Sequence, residues 1–354
     1  MKPVRMRRRG WRGVGLAAAV ALPIAAGAAG APVAPGSAPT FESHWQDGRA
    51  ELDGYRYTVT RYGQPRRGTA VTVFVTEPFS EAKRVKVDDP AANPKDTFEA
   101  LKLNFVRDFQ TGIYDYNTLV SLFVRSRDFS PVKISFSSQE WCGHVYEEML
   151  FGPREIADRY TSYFEDETGD RRLNTMKGGL TEEDLFVRLR DLREGWLSPG
   201  ERRSVPFLAS TFHRRLRHQP LRWTTASIER ERETAAITVP AGKFAATVYR
   251  VDTEDGRAGR FWIERDYPHR ILRWEWKATG TPAGRGWSPS EGLDAGELTG
   301  SARLPYWQLH NPGDEKYLKL LGLVAGPGGA TAPGPAAVRR GAGGPPHGGP
   351  GKRK

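Results

Sequence analysis

Between residues 55 and 277 the chain repeatedly alternates apolar and polar side chains with a period of two, and this constrains the fold more than any other feature. Tyr55, Tyr57 and Val59 alternate with Arg56 and Thr58, and Val71, Val73 and Val75 follow the turn-like Gly63-Gln64-Pro65. Leu101, Leu103 and Phe105 alternate with Lys102 and Asn104, and Val132, Ile134 and Phe136 with Lys133 and Ser135. Leu272, Trp274 and Trp276 point one way while Arg273, Glu275 and Lys277 point the other. Strands with one apolar and one wet face belong to antiparallel sheets. Turn dipeptides, among them Asp89-Pro90, Gly152-Pro153, Asp255-Gly256 and Tyr267-Pro268, separate them.

Helical periodicity is confined to two stretches. In Thr181–Gly195, Thr181 is an N-cap, three acids fill the first turn, and Leu185, Leu189 and Leu192 recur at helical spacing. In Asp314–Leu323, Asp314 caps, Leu318 and Leu321 share a face and Gly322 stops the helix. The expected fold is therefore mostly β, a β-dominated α+β protein whose antiparallel strands curl into a barrel-like or half-barrel sheet with two short helices. The predicted organisation is a signal peptide over 1–28, a linker over 29–45 and an N-terminal β region over 46–178. A helix and connecting segment over 179–220 follows, then a C-terminal β region with its terminal helix over 221–324 and a disordered basic tail over 325–354. Whether the two β regions form one sheet or two domains is open at this level.

Charge separates the ends from the body. The chain has 53 Lys plus Arg against 42 Asp plus Glu. Six of the positives fall in residues 1–28 and five in 325–354, neither segment holding an acid, so residues 29–324 carry 42 of each sign. A neutral body has no wide positive field for nucleic acid. Basic residues up to Arg12, an apolar run over Val14–Ile24 and Ala26-Gly27-Ala28 have the form of an export signal, too short to span a bilayer. The expected location is the periplasm or cell envelope. Ten Gly and six Pro leave 325–354 too little apolar surface to offset its ordering entropy. Its charges suit weak contact with an anionic membrane surface, at about 1 kcal/mol each; a solvated extension is the simpler reading.

Nine of the ten Trp lie in the body. Aromatic-rich curled sheets often enclose an apolar cavity, which makes Trp141, Trp262, Trp274 and Trp276 candidates to line a site for a lipid or other apolar small molecule. The only cysteine, Cys142, sits in Glu140-Trp141-Cys142-Gly143-His144. If that segment is extended, alternation puts Glu140, Cys142 and His144 on one face. Such a set has the components of a nucleophile, base and orienting acid, or of part of a metal site. Same-face neighbours are about 7 Å apart, long for proton transfer, so a buried structural Cys beside a hydrogen-bonded His is the simpler alternative. The run His213-Arg214-Arg215-Leu216-Arg217-His218 reads as a solvated surface loop. Gly-rich phosphate loops, serine-hydrolase elbows, HExxH and EF-hand patterns are absent. No cofactor or metal is expected, and the oligomeric state is open.

The segment Val239-Pro240-Ala241-Gly242-Lys243-Phe244, the strand ending Val248-Tyr249-Arg250-Val251, and the later Phe261-Trp262-Ile263 and Tyr267-Pro268 resemble an uncharacterised family of exported bacterial β-rich proteins. In that family a V-P-A-G-x-F turn precedes a strand and an aromatic W-x-x-x-x-x-P hairpin follows. Some relatives carry the label septum formation inhibitor Maf, although the phosphate-handling residues of Maf pyrophosphatases have no match in this chain. The resemblance implies a barrel-like fold and an envelope location, and it implies no active site.

Overall fold

The computed structural model describes residues 39–279 and 292–324. The signal expected over 1–28, the first part of the linker and the tail over 325–354 lie outside the described residues. A short helix, α1 (Phe41–Trp45), opens the described chain inside the stretch read as linker. An up-and-down meander follows: β1 (Ala50–Arg61), β2 (Gln64–Ser80), β3 (Thr97–Thr111), β4 (Tyr114–Arg125), β5 (Pro131–Glu140), β6 (Gly143–Phe151), β7 (Glu155–Ser162) and β8 (Gly169–Asn174). Next come β9 (Leu180–Thr181), α2 (Glu182–Arg188), β10 (Arg202–Leu208) and α3 (Thr211–Arg217). The chain returns through β11 (Thr224–Arg230), β12 (Ala235–Val239), β13 (Gly242–Thr253), β14 (Arg257–Glu264), β15 (Ile271–Ala278) and β16 (Asp294–Leu304).

These strands make one 16-stranded sheet, because β16 pairs with β1 and joins the two halves. Its path ends at β8 on one side and β9 on the other, so the sheet is curled and open rather than a closed barrel. The β9–β10 pair is parallel, over two residues, and the other named pairs are antiparallel. The mostly β architecture is the one the alternation predicts. Tyr55, Tyr57, Leu103, Phe105, Ile134, Phe136, Trp274 and Trp276 all face one inner core that also takes in α2 and α3.

The single-wet-face expectation fails at β1, β2 and β16. Val73 and Val75 are buried on the outer face, with Ala50, Leu52 and Leu321, while Phe74 fills the inner core. The cover is the segment Asp314–Leu321, a 3-10 helix rather than the expected α-helix, with Gly313 and not Asp314 at its N-cap. Gly54 and Gly300 permit the contact, since a Cβ at either would lie 2.2 Å from the Leu321 carbonyl oxygen or 2.3 Å from that of Leu320. Thr299 Oγ1 fastens it, donating to the Leu321 carbonyl at 2.6 Å.

At α2 the capping expectation holds. Thr181 Oγ1 accepts from the Asp184 amide at 3.2 Å, and the Asp184 carboxylate accepts from the Thr181 amide at 2.8 Å. The helix stops at Arg188, well before Gly195, and the next residues run in turns through Asp191, whose φ is 47°. Leu189 and Leu192 stay buried, so the apolar spacing reports burial where the helix itself has ended.

Candidate functional site

The hairpin around Cys142 does not extend through it. Gln139 pairs with His144 and Glu140 with Gly143, leaving Trp141 and Cys142 as a two-residue turn. The turn overturns the expected one-face alignment. Glu140 points inward and is buried, Cys142 sits exposed at the tip, and His144 lies exposed on the outer face. The thiol is also not the buried structural Cys of the alternative reading. Among the described residues no group of three or more His, Cys, Asp or Glu has the arrangement of a metal site.

The four tryptophans also part company. Trp141 is 69% exposed on the same turn. Trp262 lies on the outer face, its ring 4.9 Å from the Arg260 guanidinium and 5.0 Å from that of Arg273. Trp274 and Trp276 are buried in the core, and Trp276 also lines a small pocket of about 20 Å³ beside α3. Trp274 meets Tyr55 at 4.8 Å, Phe105 at 5.3 Å and Phe186 at 5.5 Å between ring centroids, and donates its N–H to Asp294 at 2.8 Å. Gly296 makes room for it, since a Cβ there would come within 2.0 Å of the ring.

The basic run expected as a surface loop is α3, and it plugs the curled sheet. Ser210 caps it through a 3.0 Å bond from the His213 amide, and Phe212 is buried in the core. Arg214 and Arg215, at 3% and 2% exposure, reach the inner wall of the sheet. Arg214 donates to both carboxylate oxygens of Glu147 at 2.6 and 2.8 Å, and Arg215 pairs with Glu140. Similar pairs fix α2 and its C-terminal extension. Glu182 accepts from Arg257 at 2.9 Å, Glu183 from the Thr211 amide at 3.0 Å, and Arg190 meets Glu51 at 2.7 Å. Buried charges need partners, and these pairs give the inner helices one seat against the wall.

Not every inward acid is fully compensated. Burial, reinforced by the neighbouring Glu147 charge, pushes the Asp158 carboxyl up to about 7. Burial and the adjacent Glu182 push Glu183 up to about 7, and burial beside Glu51 pushes Asp53 up to about 8. Burial first, then Arg257, drives the His213 imidazole well below its ordinary range.

At one end of the sheet these elements leave a cleft of about 940 Å³ between α1, the β4–β5 connection, the residues after α2 and the turn before β15. Phe41, Phe129, Leu192 and Trp196 supply apolar surface; Arg127, Asp128, Arg193 and His269 supply polar groups. Phe129, Asp191 and His269 hold left-handed φ values of 55°, 47° and 58°, conformations that cost non-glycine residues about 1 kcal/mol or more. Specific bonds hold each. The Phe129 carbonyl accepts from Arg188 at 2.7 Å and the His269 carbonyl from Arg190 at 3.0 Å. The Asp191 carboxylate accepts from the Trp196 amide at 2.8 Å and the Tyr249 hydroxyl at 3.0 Å. Its carboxyl is raised by burial, against the pull of these donors. Arg193 spans the floor, donating to Ser126 O and Glu42 at 2.7 Å each and lying 4.0 Å over the Phe41 ring.

None of the cleft residues was a candidate from the sequence. The cleft joins four stretches remote in the chain, and only the left-handed residues distinguish it locally. Compared with known proteins, the chain matches no family model, no curated protein and no solved structure.

Proposed function

We propose that this chain is an exported cell-envelope protein that binds an amphipathic ligand without catalysis, and that the cleft is where the ligand sits. The observation that carries the reading is the mixed lining of a cleft of ligand size: aromatic and aliphatic walls for an apolar body, ion-paired arginines and His269 for a polar head. The strained Phe129, Asp191 and His269 add weight, because such conformations concentrate where a ligand surface must be shaped. The basic and apolar segments before residue 28, and the resemblance to exported β-rich proteins, support the envelope location. A hydrolase or transferase using Cys142, His144 and Glu140 is the weaker reading, because one hairpin presents these groups in three directions.

The test is native mass spectrometry of protein purified from its own envelope, with lipid extraction of the bound material. The expected result is a co-purifying amphipathic species that is depleted in a Trp196→Ala variant. A wild-type protein that is clean of ligand, and gains none when offered envelope lipids, refutes the proposal.

A further inference from the structure

A second surface carries polar side chains that the fold itself leaves unused. On the outer face of β3 to β6 the register sets Asp108 beside Asn117, Asn117 beside Gln139, and Gln139 beside His144. Cross-strand partners share a face, so the four form one row across four strands. With the parallel row that ends in Ser137 and Tyr146 they line a groove of about 440 Å³. Among the described residues, Asp108, Gln139 and His144 make no side-chain hydrogen bond. Asn117 gives its Nδ2 to Asp115 at 2.8 Å, which leaves its oxygen free to accept. Asp108 is half-buried, and desolvation together with the Asp115 charge pushes its carboxyl up to about 6.

Outside the groove's lining, on the turn that joins Gln139 to His144, stands Trp141. Its indole N–H donates to Asp115 at 3.1 Å, which fixes the ring while leaving it mostly in solvent. A large aromatic plane held open to water beside unused hydrogen-bonding groups is the combination of a recognition surface.

The charges narrow the ligand. Among the described residues no Lys or Arg lines the groove, and Asp108 within it, with Asp115 beside Asn117, repels an anion. Among the described residues, no group of three or more His, Cys, Asp or Glu stands there to hold a metal cation. A neutral polyhydroxyl molecule fits better: each hydroxyl both donates and accepts, so one ligand can satisfy a carboxyl, an amide and an imidazole together. Its C–H faces can cover an aromatic plane. The groove lies along an open sheet face, which suits a segment of a chain more than an enclosed monomer. We propose that the groove over β3 to β6 binds a neutral oligosaccharide, with Asp108, Gln139 and His144 bonding its hydroxyls and Trp141, on the adjoining turn and tied to the row through Asp115, stacking on a sugar ring that extends beyond the groove.

The experiment titrates the full chain with chitotetraose, cellotetraose and maltotetraose, following amide shifts by NMR and heat by calorimetry. Saturable binding to at least one is expected. Trp141→Ala and Asp108→Ala should each weaken it about tenfold or more with the unfolding midpoint unchanged, and Trp196→Ala in the cleft should leave it intact. No saturable binding at millimolar sugar overturns the proposal, as does binding that survives both groove variants. Binding to phosphatidylcholine vesicles that Trp141→Ala abolishes, with no sugar binding, assigns the surface to a bilayer and overturns it too.

Discussion

Replacing Arg214 with Met tests whether α3 is held by charge or merely by shape. Met keeps much of the aliphatic volume but removes the guanidinium that donates to both oxygens of Glu147, itself 1% exposed. Asp158, 2% exposed, keeps Arg171 at 3.8 Å. Stranding one partner of a buried pair costs about 3–5 kcal/mol, which in a domain of this size lowers the unfolding temperature by roughly 6–10 °C. The loss must depend on pH. Without Arg214 the folded-state pKa of Asp158, already raised by burial, rises further above its unfolded value of about 4. A group raised in this way gives its stability below the unfolded pKa and forfeits it as pH climbs through the folded one. Urea unfolding of both proteins at pH 7.5 and pH 5 measures the effect. The deficit should be largest at pH 7.5, shrink at pH 5, and fall again when Glu147→Leu is added. A deficit under about 1 kcal/mol at pH 7.5, or one equal at both pH values, would show that the pair does not seat the helix.

The same reasoning applies to Asp53, whose carboxyl is raised to about 8 by burial beside Glu51. Its contribution is complete only below the unfolded pKa of about 4 and is gone above about 8, so over the part of that fall between pH 6 and 9 wild type should lose on the order of 2 kcal/mol. Asp53→Asn should lose less than half of that, and equal slopes for the two proteins would contradict the assignment. Cys142, exposed on its turn, should react with iodoacetamide in the native state, and Cys142→Ser should change stability by less than about 0.5 kcal/mol. A thiol that reacts only after denaturation would place it elsewhere.

Much of the sheet was legible because alternation is a local signal: Tyr55 to Val59, Leu101 to Phe105 and Leu272 to Trp276 face the core as their spacing predicts. Val73 and Val75 obey the same alternation, yet face outward under a cover supplied some 245 residues later, which no local pattern records. Charge misled at α3. Four basic residues hid the Phe212–Leu216 pair at helical spacing and the Ser210 cap, and the carboxylates that bury Arg214 and Arg215 lie 67 and 75 residues away. At Cys142 only the Gly143 that follows hinted at a turn, and a two-residue turn is enough to send neighbouring side chains to different faces. The cleft was invisible for a related reason: its walls meet only once the sheet has curled.

The β1–β16 seam also sets an order of events. Arg56 and Glu297, 241 residues apart, bond across it, so an early strand made in synthesis waits for nearly the last before its second edge is paired. At about 5–20 residues per second, that wait is roughly 12–50 s on the ribosome. Throughout it, β1 offers a row of unpaired amides and carbonyls to any other strand in reach. A chain built this way should reach its native state only once β16 has been made, and should depend on something that shields that edge in the interval.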